Sequence, residues 1–210
     1  MSKIQVDTID TRSGTSTMQI GSTNTTTITL GVSGDTINVP SGVTITNSGT
    51  ANGFGGGITE ADTWRITSNY TVNGTLDPVA SNWERSDTTG QGKIGTGMSE
   101  SSGVFTFPST GLWFVEWKCV AYGNGGSVDE IWGQIKVTTN NSSYTEIAAG
   151  VDSSSTNGAY SFSSCSTIVD VTDTANVKVR FKNYTGANTN FQGSSTQDHT
   201  SAVFIRLGDT

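Results

Sequence analysis

The single histidine and the acidic side chains are the groups in this 210-residue chain that could carry acid–base or metal chemistry. Catalysis or metal binding by His199 would need a second functional group held close to it. The pairs Asp129-Glu130 and Asp170/Asp173 offer the oxygen ligands that Ca²⁺ prefers, but they lack the regular spacing of a calcium-binding loop. We therefore predict no catalytic residue, no metal site and no cofactor, and interpret these acids as turn-forming residues.

Hydrolysis of a polysaccharide would need two carboxylates facing each other across a groove, about 5–10 Å apart. The 18 Asp and Glu residues show no obvious pair of this kind. We predict that the protein is not an enzyme, with a polysaccharide-degrading enzyme as one alternative.

Four aromatic side chains could stack on sugar rings at a binding surface: Trp64, Trp83, Trp132 and Tyr184. Most tryptophans in β-proteins with two sheets belong to the core, because their large rings dominate core packing. We favour the core interpretation and keep sugar recognition as the alternative.

The charge and hydropathy of the chain exclude two classes of partner. The net charge is −7 and the 11 basic residues are scattered along the sequence, whereas nucleic-acid binding needs clustered Lys and Arg. No run approaches the 18 or so apolar residues that span a bilayer, and the first ten residues, MSKIQVDTID, lack the pattern of an export signal. We expect no nucleic acid, no membrane insertion and no export.

The composition favours an all-β protein. Apolar residues make up only 32% of the chain, charged residues 14%, and there are 26 glycines, a pattern typical of strands separated by many turns. We expect almost no helix, and we expect part of the chain to be extended or assembled with other chains.

The most apolar stretch, Gly103 to Tyr122, contains two predicted strands. Val104 to Phe107 is a short β-type segment, Pro108 to Gly111 supplies turn residues, and Leu112 to Tyr122 is rich in aromatic and β-branched residues. We predict a hairpin-like connection between the two strands.

The longer strand has two different faces, because side chains alternate along a β-strand. One face is wholly apolar: Trp113, Val115, Trp117, Cys119 and Ala121. The other mixes large apolar groups with two charges: Leu112, Phe114, Glu116, Lys118, Val120 and Tyr122. We predict that the first face lies in the core and that the second lies in a partly polar interface between subunits.

The same stretch resembles a known family. Phe105-Thr106-Phe107-Pro108 followed by Gly111-Leu112-Trp113-Phe114-Val115 is similar to the F-T-x-P-x-x-G-x-Y-x-F signature of complement-type globular heads, the tumour necrosis factor-like jelly rolls. Trp113 stands where that family has Tyr, and Val115 where it usually has Phe. The segments 175–181 and 201–207 resemble the family's last two strands.

The resemblance implies a two-sheet jelly roll of eight to ten strands in a trimer, covering a head of residues 58–210. Its strands are predicted around residues 64–72, 82–85, 104–107, 112–122, 127–137, 144–151, 160–171, 177–181 and 201–207. It also implies that the strands of Cys119 and Cys165 are neighbours, so that a disulfide is one alternative. We favour buried thiols, since no export signal indicates an oxidising compartment.

Residues 20–57 form a degenerate repeat that we call the stem. Ile20, Ile28, Ile37 and Ile45 recur at intervals of eight, nine and eight residues, with Ser-Gly pairs between them. A four-residue strand and a Gly turn cannot bury an apolar row alone, so we predict a trimeric β-stem that ends in Asn52 to Gly57. Including the head, the predicted trimer-interface residues are Ile28, Leu30, Ile37, Val39, Val43, Ile45, Leu112, Phe114, Tyr122 and Phe204. An unstructured linker is the alternative.

Residues 1–19 form a predicted N-terminal arm. Ile4, Val6 and Ile9 alternate with polar residues, which favours an ordered segment that docks on another protein over a frayed terminus.

An arm, a thin stem and a compact head together resemble the fibre-type structural proteins of tailed bacteriophages. The segments SKIQVDTID and VPSGVTITNSGTANGFG are similar to marine phage virion proteins. This resemblance implies a virion protein assembled in the host cytoplasm, a tail fibre or spike held by its arm, whose head attaches to a host-surface glycan or protein receptor. The candidate receptor loops are the Gly/Ser/Asn-rich segments with Asn124, Asp129, Asp152, Asn157, Tyr184 and Asn188. A capsid-decoration trimer and a polysaccharide-degrading tailspike are the alternatives.

Overall fold

The computed structural model describes residues 20, 27–31, 33–44, 46, 57–123, 125–126 and 128–210, with the backbone alone at residue 129. The chain separates into two units, Met1–Asn52 and Gly53–Thr210. Each unit is described by itself.

The described part of the second unit is built from β-strands, as predicted. Eleven strands occur there: β1 Ala61–Ile66, β2 Tyr70–Leu76, β3 Trp83–Arg85, β4 Ser99–Ser101, β5 Val104–Thr106, β6 Gly111–Gly123, β7 Val128–Thr138, β8 Thr145–Ser154, β9 Tyr160–Val171, β10 Lys178–Phe191 and β11 Ser201–Gly208. In the part of the chain that the structure describes, no helix could cross a membrane.

Antiparallel pairing arranges these strands in two layers. Sheet I has the order β3-β1-β11-β6-β9, and in sheet II β10 pairs with β2, β5 and β7, which continues to β8, while β4 pairs with β5. The end of β10 also pairs with the end of β6, at Thr189↔Gly123 and Phe191↔Ala121. This pairing folds one continuous sheet into a closed jelly-roll sandwich.

Strand β6 is the centre of sheet I and faces the core as its sequence predicts. Burial alternates at every residue from Gly111 to Gly123, and the five odd-numbered side chains from Trp113 to Ala121 are completely buried. The even-numbered side chains point away from the core and are partly exposed. The prediction that the odd-numbered face of this strand lies in the core is therefore confirmed, and the subunit interface on the other face stays a prediction.

Aromatic rings join the two layers at the middle of the core. Trp117 of β6 stacks on Phe181 of β10 with ring centroids 4.7 Å apart, and Phe105 of β5 lies 5.5 Å from Phe181 and 5.1 Å from Phe204 of β11. Phe204 is thus completely buried within its own chain. Its predicted place in the trimer interface is wrong, because its side chain points into the sandwich.

A predicted hairpin and a predicted strand are also wrong. Strands β5 and β6 do not form a hairpin, since β5 pairs with β4 and β10 whereas β6 pairs with β9, β10 and β11. The single first strand predicted around residues 64–72 is two strands, because β1 pairs in sheet I with β11 and β2 pairs in sheet II with β10.

Strand β10 is much longer than the predicted segment 177–181. It extends to Phe191 because β7 pairs along one side, up to Thr185, and β2 along the other. A register shift interrupts the pairing with β2 between Thr185 and Thr189, where the two hydroxyl oxygens lie 2.8 Å apart. The predicted receptor loop that contains Tyr184 and Asn188 is therefore mostly strand.

The two cysteines lie at a polar end of the core, on neighbouring strands β6 and β9, as the family resemblance implied. Both are buried thiols, in agreement with the favoured interpretation. Asn183 Nδ2 donates to Cys119 Sγ at 3.1 Å, and the Cys165 thiol donates to the Gly133 carbonyl at 3.2 Å. Burial raises the pKa of Cys119 strongly, and burial raises the pKa of Cys165 to about 11.

A completely buried arginine covers one side of the outward surface of sheet I. The guanidinium of Arg65 is bound by Glu84 at 3.1 Å and Asp87 at 2.5 Å, and lies 3.7 Å from Asp198. The loop after β3 and the segment before β11 are held to β1 in this way. The described residues of this unit leave the outward surfaces of β11, β6 and β9 uncovered.

The described residues of the first unit include two of the predicted Ser-Gly turns. Turns occur at Ser33-Gly34 and Ser41-Gly42, and both glycines have positive φ angles, +98° and +85°, which glycine adopts without strain. The predicted four-residue strands between these turns are not formed in the single chain among the described residues. Ile45 lies outside the described residues.

Replacing Phe181 by Ala should lower the free energy of unfolding by about 3–5 kcal/mol, because the ring contacts four other aromatic rings in a buried site. Ile147→Ala, at a side chain that is 45% exposed, should cost well under half as much. Urea unfolding followed by tryptophan fluorescence compares the two variants. Equal losses would contradict the central role of Phe181.

Both thiols should resist reaction with Ellman's reagent in the folded protein at pH 8. A raised pKa lowers the fraction of reactive thiolate, and both side chains are buried. Ellman's reagent should detect two thiols per chain in denaturant and almost none within minutes in native buffer. Rapid native reaction of either thiol would contradict its described environment.

Candidate subunit interface

The uncovered outward surface of sheet I is the candidate functional site. Its centre is the even-numbered face of β6, which lies between β9 on one side and β11 on the other. We call the uncovered surface of these three strands the interface face. Its large apolar side chains are Leu112, Phe114, Val120, Tyr122, Tyr160, Phe162, Ile168, Ile205 and Leu207.

One end of the interface face carries an apolar row across all three strands. Phe114 of β6 is the register partner of Ile168 of β9 and of Ile205 of β11, and directly opposed side chains on one sheet face lie in contact distance. Leu112 and Leu207 extend this row toward the strand ends. Ile168 is 58% exposed and Leu207 is 54% exposed.

The other end carries a second apolar group. Val120 is the partner of Phe162, and Tyr122 is the partner of Tyr160, whose ring lies 5.7 Å from that of Tyr122. The Tyr122 hydroxyl accepts a hydrogen bond from Asn190 Nδ2 at 2.6 Å, which orients its ring. Phe162 is 53% exposed.

A polar band separates the two apolar ends. Glu116 lies opposite Ser166 and Val203, and Lys118 lies opposite Ser164 and Ser201. In the part of the chain that the structure describes, neither charge has an ion-pair partner. Both charges therefore remain available for ion pairs with another subunit.

The exposed apolar side chains at the two ends of the interface face favour its coverage by another chain. Monomers rarely expose contiguous apolar patches larger than a few hundred Å². Fully burying one Ile or Phe side chain contributes about 1.5–3 kcal/mol. Four or five such residues at the two ends of the face would therefore supply most of the free energy of a stable association.

The structure brings together three predicted interface residues and adds others. Leu112, Phe114 and Tyr122 all lie on the interface face, as the alternation of β6 required. Sequence reasoning missed Tyr160, Phe162, Ile168, Ile205 and Leu207. The even-numbered positions of β9, which read Tyr, Phe, Ser, Ser, Ile, Asp, carry a partial signal, but only the register shows that they continue the face of β6.

The described stem residues of the predicted interface are exposed in the single chain. Ile28, Leu30, Ile37, Val39 and Val43 are between 40% and 63% exposed. Their part in a trimer stays a prediction. The docking residues Ile4, Val6 and Ile9 lie outside the described residues, as does Asn124 among the candidate receptor residues.

Most other candidate receptor residues belong to strands. Asp152 lies in β8 and accepts a hydrogen bond from the Phe162 backbone amide at 2.8 Å. Tyr184 lies within β10, and Asn188 within the irregular part of the same strand. Asn157 is in an exposed turn as predicted. Asp129 is in β7, and its side chain is outside the description.

The remaining candidates for chemistry have structural partners. His199 Nε2 lies 2.8 Å from Gln197 Oε1. The Asp173 carboxylate accepts hydrogen bonds from Ala175 N and Asn176 Nδ2, which makes it the turn-forming acid that we predicted. The same prediction is wrong for Asp129, Glu130 and Asp170, which lie in strands β7 and β9. No group of three metal-ligating side chains occurs among the described residues. Trp64 and Trp83 pack on Phe105, as the core interpretation predicted. That interpretation is wrong for Trp132 and Tyr184, which are register partners on the outward surface of sheet II and are partly exposed.

Comparison with solved structures assigns the fold. Murine APRIL at pH 5.0 superposes with a TM-score of 0.51 at 10% identity, covering 70% of this chain and 98% of APRIL. Eiger TNF from S. frugiperda gives 0.51 at 15% identity, covering 71% and 93%, and the PRD1 vertex protein P5 gives 0.48 at 14% identity, covering 73% and 100%. No family model and no curated protein matches the chain.

The likenesses to APRIL and to Eiger TNF define the class of fold. The described head is a tumour necrosis factor-like jelly roll, so the fold expected from the F-T-F-P segment is confirmed. Identities of 10–15% show the fold alone.

Proposed function

We propose that this protein is a homotrimeric structural protein of a bacteriophage virion. Its arm anchors it to the particle, its stem associates around a threefold axis, and its head projects outward for attachment to the host surface. The protein has no enzymatic role in this proposal.

The observation that carries the trimer is the interface face. Among the described residues, nothing covers the two apolar ends and neither Glu116 nor Lys118 has an ion-pair partner, and a cyclic oligomer of identical subunits would cover them. The exposed apolar row of the stem supports the same conclusion independently, because it also needs other chains to bury it. The number of subunits, three, is inferred from the resemblance to the jelly-roll family.

The virion role is supported by the sequence patterns of the arm and of the end of the stem. Short apolar and polar alternation, as at Ile4, Val6 and Ile9, suits a segment that adds a strand to an acceptor protein and gains main-chain hydrogen bonds. A trimeric head would raise the avidity of weak receptor contacts by about 10²–10⁴ if all three sites engage together.

Multi-angle light scattering of the full chain should give the mass of a trimer at micromolar concentration. The double variant Phe114→Glu/Ile168→Asp should raise the trimer dissociation constant at least about 100-fold, because it places charges in the apolar row. Its circular dichroism should stay unchanged, since Ile168 is already exposed in the single chain.

Ile147→Asp is the matched control, because Ile147 is 45% exposed on β8, away from the interface face. It should leave the trimer intact. A monomeric wild type, or a double variant that associates as tightly as the control, would contradict the proposed interface.

Deleting residues 2–14 should leave a trimer that no longer joins phage particles. Replacing Ile4, Val6 and Ile9 together by Ser should have the same effect while keeping the length of the arm, because the docking strand would lose its apolar contacts. Immunoblotting of purified particles measures incorporation, and gold labelling shows whether the protein sits on the tail or on the shell. Normal incorporation of both variants would disprove anchoring through the arm.

A further inference from the structure

The outward surface of sheet II gathers basic residues that are scattered in the sequence. Lys178, Arg180 and Lys182 alternate along β10 and point away from the buried Val179 and Phe181. Lys136 of β7 is the register partner of Arg180. Four of the 11 basic residues of the chain therefore share one sheet face, which we call the basic face.

Aromatic side chains adjoin these charges in the next row. Tyr184 of β10 is the register partner of Trp132 of β7, which in turn is opposite Val151 of β8. Both rings are partly exposed, and Val151 is 56% exposed. Lys182 lies on the same face two residues before Tyr184, a spacing of about 7 Å along a strand.

The acids near this face neutralise only part of it. Asp77 lies 2.5 Å from Lys136 Nζ and 3.0 Å from Arg180 Nε, the second an ion pair without hydrogen-bond geometry. Glu146 Oε2 lies 3.4 Å from Lys182 Nζ.

The third acid is Glu130, which accepts a hydrogen bond from Trp132 Nε1 at 3.0 Å. The four cations and these three acids carry a net charge of +1. Since the whole chain has a net charge of −7, the remaining residues carry −8.

Two cations of the basic face are available to a ligand. Lys178 has no ion-pair partner in the part of the chain that the structure describes, and the pair between Lys182 and Glu146 is long and solvent-exposed, which makes it weak. Arg180 is engaged with Asp77 and lies over the Tyr144 ring at 4.1 Å. A ligand would therefore meet two separated positive charges beside an aromatic row.

We propose that the basic face binds an acidic polysaccharide. A sugar ring would lie against Trp132 and Tyr184, whose flat rings combine an apolar surface with a polar edge, while carboxylate or sulfate groups along the polymer pair with Lys182 and Lys178. The proposal deepens the host-attachment part of the proposed function by naming the class of ligand.

The charge pattern disfavours the other macromolecules. Duplex nucleic acid carries a charge every 1.7 Å, a density that the two available lysines of this face cannot match. Protein interfaces are depleted of charge at their centres, whereas Arg180, Lys136 and Lys182 occupy the middle of this face. A glycan with widely spaced acidic groups fits both the aromatic row and the two available lysines.

Binding of dextran sulfate, polygalacturonate and neutral dextran to the purified full chain tests the proposal by affinity electrophoresis. At least one of the two anionic polymers should bind, more weakly as salt rises, and neutral dextran should not. The two anionic probes distinguish sulfate from carboxylate recognition. Failure of both to bind, or equal binding of neutral dextran, would overturn the proposal.

Variants then locate the site. Lys178→Gln and Lys182→Gln should each weaken binding by up to about fivefold, as expected for a single exposed charge, and Trp132→Ala by about tenfold. Lys182→Arg should retain binding. Lys93→Gln, which removes the same charge where Lys93 contacts the Gly95 and Thr96 carbonyls, is the matched control.

The assignment to this face would be overturned if the double variant Lys178→Gln/Lys182→Gln bound the polymer with wild-type affinity. It would also be overturned if Lys93→Gln lost as much affinity as these variants. Light scattering and circular dichroism of each variant check that trimer and fold persist. Polymer binding by a chain that is not a trimer would refute the proposed function and keep this inference. A trimer that joins particles but binds neither anionic polymer would refute this inference and keep the proposed function.

Discussion

The stacking of Trp117 on Phe181 is the contact on which the rest of the head depends. It joins the central strand of sheet I to the central strand of sheet II, with ring centroids 4.7 Å apart. Side chains alternate along a strand. Once these two rings point inward, the orientation of all the remaining side chains of β6 and β10 is therefore fixed. Leu112, Phe114 and Tyr122 must then point out of one layer, and Lys178, Arg180 and Lys182 out of the other.

The two outward surfaces produced in this way have different chemistry. The surface of sheet I combines two apolar ends with a narrow polar band, and the Arg65 cluster covers its neighbouring strands. The surface of sheet II is basic and aromatic in a chain of net charge −7. If sheet I faces the other subunits, sheet II faces outward, so assembly and ligand binding would use opposite sides of one sandwich.

Both the stem and the head carry apolar side chains that need a surface to cover them, and the two parts differ in how many they cover within one chain. The head buries its core through its own two layers and leaves large apolar side chains exposed on the outward surface of sheet I. The described stem residues leave their apolar side chains exposed in the single chain, because a unit of about eight residues is too short to cover its own apolar row. Association of identical chains would resolve both exposures at once.

Local sequence determined the strand type, the Ser-Gly turns and the inward face of β6, because each depends on residues close together in the chain. It also indicated that Phe114 and Tyr122 leave the core. Only the tertiary structure decided that Phe204 is core, that β10 reaches Phe191, that Ile168 and Phe162 extend the interface face, and that scattered lysines form a basic face. Each of these depends on which distant strand pairs with which and in what register, and a pattern with a period of two residues does not contain that information.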